Sequence, residues 1–394
     1  KLFIAIYLYN KIINIVKVKE VFHMNSHNKI ARWLGRGIVI TLGLLVLIAA
    51  SYVIYMQSHY YRIKDHQKLT IKDPQQAELA PGQEYTALTY NIGFGAYNQK
   101  YSFFMDTGRM VDGQKTQGKY GTAVNKQTVL ADTNGAVTTL KQQQPDFALM
   151  QEVDTNSTRS FHVDQVQKIQ QSFPNYASVF ASNFHSGYIF LPLNNPHGSV
   201  RSGLLSLSKY RISQAERRKY PVTSSFISKF TDLDRCFEVL TIPVKNHKQL
   251  LLINSHMSAY DKGGEMRKKQ LKLLNHVMDA AVAQGDYVIV GGDFNHAFGT
   301  KMLTHFKNKQ QVPDWVSVLS SKNITSKMRM VHATNEDQVP TCRATDIPYQ
   351  KGVNYETVID GFLVSPNVTA HATNLDTQFQ YADHNPVKLS FTLQ

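Results

Sequence analysis

Cysteine is almost missing from this chain of 394 residues. Cys236 and Cys342 are the only two, too few for a disulfide framework or a cysteine-rich zinc site. Internal repeats and low-complexity tracts are absent, which excludes solenoids, propellers and fibrous proteins. Acidic residues are in deficit, with 29 Asp+Glu against 43 Lys+Arg and a formal net charge of +14. The excess is uneven. Residues 1–80 carry 11 Lys+Arg and 4 Asp+Glu, and residues 81–394 carry 32 and 25, so half the net charge sits in the first fifth of the chain. A basic segment of that kind suits an anionic membrane surface as well as nucleic acid. With 42% hydrophobic and 11% aromatic residues, there is material for one large core or two modest ones.

Residues 1–36 form a basic N-terminal segment. Within it, 1–23 mix apolar residues with five charges and precede the first methionine, Met24, so they read as upstream sequence rather than native protein. Gly37 to Met56 follows without a charge, rich in Leu, Ile and Val. At about 1.5 Å per residue these positions reach about 30 Å, the thickness of a bilayer's hydrocarbon core. Lys29, Arg32 and Arg36 precede the run, and Tyr52, Tyr55, Tyr60 and Tyr61 crowd its far end, as at a membrane interface. A signal peptide has a shorter apolar region. The expectation is one uncleaved, single-pass anchor in a cell membrane with the following domain outside, although flanking charge does not decide orientation. Residues 57–83, polar and carrying Pro74 and Pro81-Gly82, read as a linker. The folded domain is expected over 84–394.

Within that domain short apolar strands alternate with few helices. Strands are expected at 85–92, 146–153, 176–181, 204–208, 236–244, 250–254, 288–290, 357–364 and 387–393, and amphipathic helices at 127–144 and 265–283. Residues 93–126, rich in Gly, Tyr, Gln and Lys, are too long for an idle connection and read as a lid or substrate-contacting insert. Residues 300–352 lack a pattern. The stretch around which the rest is organised is Tyr287–His296. Val288-Ile289-Val290 reads as a buried strand, Gly291 and Gly292 as a sharp turn at its end, and Asp293 and Asn295, two residues apart, as pointing the same way in extended chain.

Polar residues recur at such strand ends: Asn91, Glu152, His256, Asp293 with Asn295, and Asp383 with His384, while Asp360 is expected inside another strand. Any one alone reads as a turn or cap; so many together are hard to explain as turns. Glu152, Asp383 and Asn91 offer hard oxygen donors suited to Mg²⁺ or Mn²⁺. His256 and His384 are imidazoles able to bind or protonate an anionic oxygen. Asp360 could hold His384 in one tautomer. The set suits metal-assisted attack of water on a phosphate ester.

The motifs Tyr90-Asn91-Ile92, Gln151-Glu152-Val153, Asn254-Ser255-His256, Gly292-Asp293-Phe294-Asn295, Ile359-Asp360-Gly361 and Ala382-Asp383-His384, in this order, resemble the endonuclease/exonuclease/phosphatase superfamily over roughly 85–394. Ala382 stands where relatives often have Ser, and Gly361 where many have an aromatic residue. The resemblance implies an α+β fold, a four-layer α/β/β/α sandwich of the deoxyribonuclease I type, here behind one transmembrane helix. It implies Glu152, Asn91 and Asp383 as metal ligands and Asp293 as orienting or deprotonating the attacking water. It further implies Asn295 and His256 on the phosphate and His384, paired with Asp360, at the scissile group. Which of Asp293 and His384 is the base stays open. Arg235 resembles a phosphate-contacting arginine, whereas Arg201 reads as an ordinary surface residue. The expected activity is Mg²⁺-dependent phosphodiester hydrolysis, with nucleic acid as first choice of substrate. A phospholipid headgroup, as in sphingomyelinases, or a phosphoinositide monoester is the alternative. The runs Arg217-Arg218-Lys219 and Arg267-Lys268-Lys269 could track a phosphate backbone, although solvated faces explain them more simply. An inactive binding domain should lack a ligand or a histidine, and this chain has all of them. The catalytic domain is expected to be monomeric.

Overall fold

The computed structural model describes residues 29–223, 225–226, 228–259, 264–325 and 327–394. The expected upstream segment, 1–23, lies outside the described residues. The chain divides into two compact units, one ending at His59 and the other running from Tyr60 to Gln394.

The first unit contains helix α1, Lys29–His59. Its stretch Trp33–His59 is long and apolar enough to cross a membrane, and its most apolar 18-residue window is exposed, while Met56 near the end is buried. The apolar run at 37–56 lies inside it.

The second unit is built on two seven-stranded mixed sheets. In chain order their strands are β1 (Gln67–Lys68), β2 (Ile71–Lys72), β3 (Glu84–Asn91), β4 (Phe147–Asp154), β5 (Ala177–His185), β6 (Arg201–Ser208) and β7 (Gln214–Lys219). These are followed by β8 (Cys236–Pro243), β9 (Gln249–His256), β10 (Tyr287–Asp293), β11 (Arg329–Val331), β12 (Asp360–Val364), β13 (Val368–Asn374) and β14 (Val387–Leu393). One sheet has the order β1-β7-β8-β9-β10-β12-β11, and the other β13-β14-β3-β4-β6-β5-β2. Helices α2 (Lys126–Gln143), α3 (Gln165–Ser172) and α4 (Glu265–Ala283) complete the framework.

Strand alternation creates the layers. On β10, Tyr287 and Ile289 join a core shared with Tyr85, Ala87, Phe147 and Leu149 of the opposite sheet. Val288 and Val290, one residue out of phase, pack with Leu271, Leu274 and Met278 of α4. On β3, Leu88 and Tyr90 turn the other way, toward Ala136 and Leu140 of α2 and Ile169 of α3. Period-two apolar patterning on both faces of both sheets produces helix, sheet, sheet, helix. Helix starts follow local chemistry: the side chain of Asn125 accepts from the Thr128 N–H, and that of Asp164 from the Gln167 N–H.

Several expectations need correction. Beyond Tyr60 the stretch read as a linker is part of both sheets. Gln67 and Lys68 pair with Arg217 and Glu216, Ile71 and Lys72 with Val179 and Ser178, and Leu69 and Leu79 are buried. Polar composition hid this because only one side of an edge strand needs to be apolar. The insert at 93–126 is ordered around its own core of Phe94, Tyr97, Tyr101, Phe103 and Ala123. Arg343 donates to the carbonyls of Tyr97 and Asn98, and Gln310 shares Asp346 with Thr116, so the unpatterned 300–352 region fastens the insert down. Arg217 and Arg267 are not on solvated faces. Arg217 is buried and donates to the carbonyls of Ser182 and Asp234, and Arg267 to those of Asn295 and Trp315.

Candidate active site

Two strand pairings assemble the site. In the first sheet β9 runs parallel to β10 and β12 antiparallel to it, and the register places His256, Asp293 and Asp360 opposite one another in a single row. Paired residues on adjacent strands share a face. Asp293 has the parity of Tyr287 and Ile289, so it faces the other sheet. There β3 runs parallel to β4 and ends with Asn91 opposite Gln151, three residues before β4 ends. The Asn91 amide nitrogen donates to Glu152 Oε1 at 3.2 Å and, across the sandwich, to Asp293 Oδ2 at 3.1 Å.

The glycines of Gly291-Gly292 do not turn the chain, which stays extended through Asp293. They permit close packing. A Cβ on Gly292 would lie 2.0 Å from the Ser255 carbonyl oxygen, and one on Gly291 2.5 Å from the Phe362 ring. The bend comes later, at Asn295, whose φ is 49°. Asp293 and Asn295 are therefore not extended neighbours on one face. The Asn295 N–H donates to Asp293 Oδ1 at 2.8 Å, and its amide nitrogen donates to the Met257 carbonyl at 2.9 Å. Glu152 is likewise not at a strand end. It occupies a bulge in β4, between Met150 and Val153, with φ of 56°, a strained backbone of the kind found where a side chain is re-aimed.

The histidines close the group. His256 Nε2 is 3.8 Å from Glu152 Oε1 and 3.6 Å from Asp293 Oδ2. His384 Nε2 is 3.8 Å from Asp293 Oδ2, while its Nδ1 meets Asp360 Oδ2 at 2.8 Å. Asp360 opens β12 rather than lying inside it. Asp383 stands beside the turn after Asn91: a Cβ on Gly93 would lie 3.1 Å from its Oδ1. Arg235, buried at the start of β8, acts electrostatically on His256. Arg201 is exposed at the start of β6. Thus Asn91, Glu152, His256, Asp293, Asn295, Asp360, Asp383 and His384 all meet at one end of the sandwich.

Burial separates the two imidazoles. Desolvation pushes His256 well below the ordinary histidine range, and the charges of Arg235 and His384 push it further. Desolvation acts against His384 too, but Asp360, with Cys342, Asp383 and Asp293, overrides it and holds that ring well above the usual value. His256 is neutral and His384 cationic at neutral pH. Burial, with Asp360 nearby, raises Asp293 to about 6. Burial, reinforced by Glu152 and only partly offset by His384 and Arg343, raises Asp383 to about 7.

That strain tests the fit of a cation. Glu152 and Asp383 repel one another beside an amide, and the donors are oxygens of the kind hard divalent ions take. A cation between them would remove the repulsion, so these residues fit one. Asp293, Asp360 and His384 also bring ligand atoms within 4.8 Å of one another. There, however, the aspartate–imidazolium pair already balances charge.

Motif reading missed the polar floor beneath the site. Gln151 donates to Asn254 Oδ1 at 2.8 Å, and Asn254 donates to Ser206 Oγ at 3.1 Å and to Glu238 Oε2. Polar residues at inward positions of otherwise apolar strands were the available signal. Arg159, buried and forked onto Asp154, lies 3.8 Å over the Phe94 ring and ties the insert to β4.

Sequence comparison agrees with this geometry. The profile of the Endonuclease/Exonuclease/phosphatase family matches residues 88–384, well over half of the chain. The chain belongs to this family. No curated protein matches it. Among solved structures it is similar to an endonuclease/exonuclease/phosphatase from Beutenbergia cavernae DSM 12333, at 15% identity and a TM-score of 0.52, over 79% of this chain and 72% of that one. It is also similar to an endonuclease/exonuclease/phosphatase family protein from Leptotrichia buccalis C-1013-b, at 12% identity and 0.50, over 78% and 100%. At these identities the similarity shows the fold, and the fold of this family member is the four-layer sandwich described above.

Proposed function

We propose that this chain is a membrane-anchored, divalent-metal-dependent phosphoesterase in which water attacks a phosphodiester. The observation that carries the reading is the single row of His256, Asp293 and Asp360 facing Asn91 and Glu152 across the sandwich. Glu152, Asp383 and Asn91 would hold the cation, Mg²⁺ or Mn²⁺. Bound there, it supplies Lewis-acid stabilisation of charge developing on the phosphoryl oxygens.

The remaining steps belong to side chains. Asp293, ionised above about pH 6, takes the proton from water, held in place by the N–H groups of Asn91 and Asn295. His384 is already charged, so it is not the base; its imidazolium holds a phosphoryl oxygen, and Asp360 keeps it charged and oriented. His256 is neutral and offers an N–H, and Asn295 offers its second amide hydrogen. Arg235 adds positive potential behind His256. The new P–O bond forms as the ester P–O bond breaks, and the leaving oxygen takes a proton from solvent. One chain supplies every group, so a monomer suffices. The apolar helix holds the unit at a membrane, with the catalytic unit outside.

Nucleic acid as substrate now rests mainly on net charge, because Arg217 and Arg267 serve the fold. The exposed apolar rim described below favours a second reading, a phospholipid headgroup. The test is turnover of bis-p-nitrophenyl phosphate by the full chain in detergent. EDTA should abolish it and Mg²⁺ or Mn²⁺ restore it; turnover indifferent to EDTA refutes the metal reading.

A further inference from the structure

Large apolar side chains stand in water on two loops of the catalytic unit and at its start. Phe190 is 50% exposed, Leu191 58%, Leu193 82%, Phe226 58% and Tyr61 55%. Single exposed apolar residues are ordinary, but a run such as Phe190-Leu191-Pro192-Leu193 beside other rings marks an interaction surface.

These residues occupy the loop 186–200 and the described residues of 220–235, and the start of the unit joins them. The Tyr61 ring stacks on His185, which opens the first loop, with centroids 3.7 Å apart. Tyr60 meets Phe230 of the second loop edge-on at 5.7 Å, and Phe230 meets Phe226 at 5.5 Å. Lys229 Nζ lies 4.8 Å from the Tyr60 ring centroid and 4.6 Å from that of Phe226. Arg62 donates to the carbonyls of Asp232 and Leu233.

Both loops are tied to elements that border the active site. The second ends in Arg235, whose charge acts on His256. In the first, Asn195 Oδ1 accepts from the backbone N–H groups of Gly121 and Thr122, and His197 packs on Phe103 and Phe104. These belong to the insert whose Tyr97 stands beside Asp383.

We propose that the two loops form a bilayer-docking face that lays the mouth of the site at the level of the lipid headgroups. The inference rests on the reading of Trp33–His59 as a bilayer span. Given that span, the occupant follows from chain connectivity: the unit begins at Tyr60, one residue past the helix. Tyr60 is itself part of the rim, which keeps the face at high local concentration over lipid. Its composition, Tyr and Phe with a lysine and an arginine, is that of a membrane interface.

The test uses the full chain in phosphatidylcholine/phosphatidylglycerol vesicles. Single cysteines at Leu193→Cys, Ile48→Cys or Lys141→Cys carry an environment-sensitive fluorophore, and the native cysteines are buried. The label at 193 should lose most of its emission to doxyl-labelled lipid and resist aqueous iodide. The label at 141, on exposed α2 surface, should do the opposite. Lipid quenching at 48 but not at 193 overturns the docking face and leaves the anchor standing. No lipid quenching at 48 defeats the anchor, and the docking face with it. A label at 193 shielded from both quenchers indicates a protein cover, a second copy included, and also overturns the proposal. So does shielding by added duplex DNA in the absence of vesicles.

Discussion

Glu152 is the residue on which the proposed chemistry turns. Its side chain is 26% exposed, against 2% for Asp293 and 2% for His256, so it is the acid that meets an entering cation. Replacing it by Gln keeps the shape and removes the charge. Metal-dependent turnover should fall on the order of 10²-fold or more, because even outer partners of a metal site are worth 10–100-fold. A metal titration of the variant should show weaker binding, and unchanged turnover would refute the assignment. Asp293 sets the acid side of the pH profile. Its carboxyl is raised to about 6 and the ionised form is the proposed base, so kcat/KM should be full above that value and fall as pH drops through it. Asp360→Asn removes the anion that keeps His384 charged. It should cost about 10²–10⁴-fold in kcat and make the remaining activity decline as pH rises through the ordinary histidine range, where wild type stays flat.

Elements explain why the residue types were legible and their arrangement was not. Helix α4 matches the expected 265–283, and the strand positions agree within a few residues because their patterning is two-faced and apolar. Strand register leaves no mark in a single sequence, so the row His256–Asp293–Asp360 emerged only in three dimensions. Gly292 was misread for the same reason: its neighbour is the Ser255 backbone, 37 residues earlier in the chain. Gly292→Ala should destabilise the fold by about 4 kcal/mol or more, a loss visible in chemical denaturation. β7 was missed because its sequence, Gln-Ala-Glu-Arg-Arg-Lys, is charged, while Arg217 buries its guanidinium on backbone carbonyls. Between the sheets, Glu238 gives a signed prediction. Burial, opposed by Ser206 and Asn254, raises it from 4.5 to about 8. The folded state therefore holds a proton that the unfolded chain releases, and stability should decline as pH rises from about 4.5 to about 8. Glu238→Gln should flatten that part of a Tm-against-pH curve.

On the scale of the whole molecule, the boundary between the apolar helix and the second compact unit decides what folds alone. Composition placed the start of the domain at Glu84, but the compact unit starts at Tyr60. β1 and β2 cap an edge of each sheet, and Leu69 and Leu79 are 8% and 0% exposed. Each buried leucine is worth about 1.5–3 kcal/mol, so a fragment beginning at residue 84 forfeits about 3–6 kcal/mol and leaves two sheet edges open to pairing with other chains. A fragment beginning at Tyr60 should unfold cooperatively and keep the turnover of the full chain on bis-p-nitrophenyl phosphate. The fragment from 84 should show a lower denaturation midpoint and greater aggregation. Equal midpoints would mean that the 60–83 segment is a passenger, and the docking rim that begins at Tyr60 would lose its support in the fold.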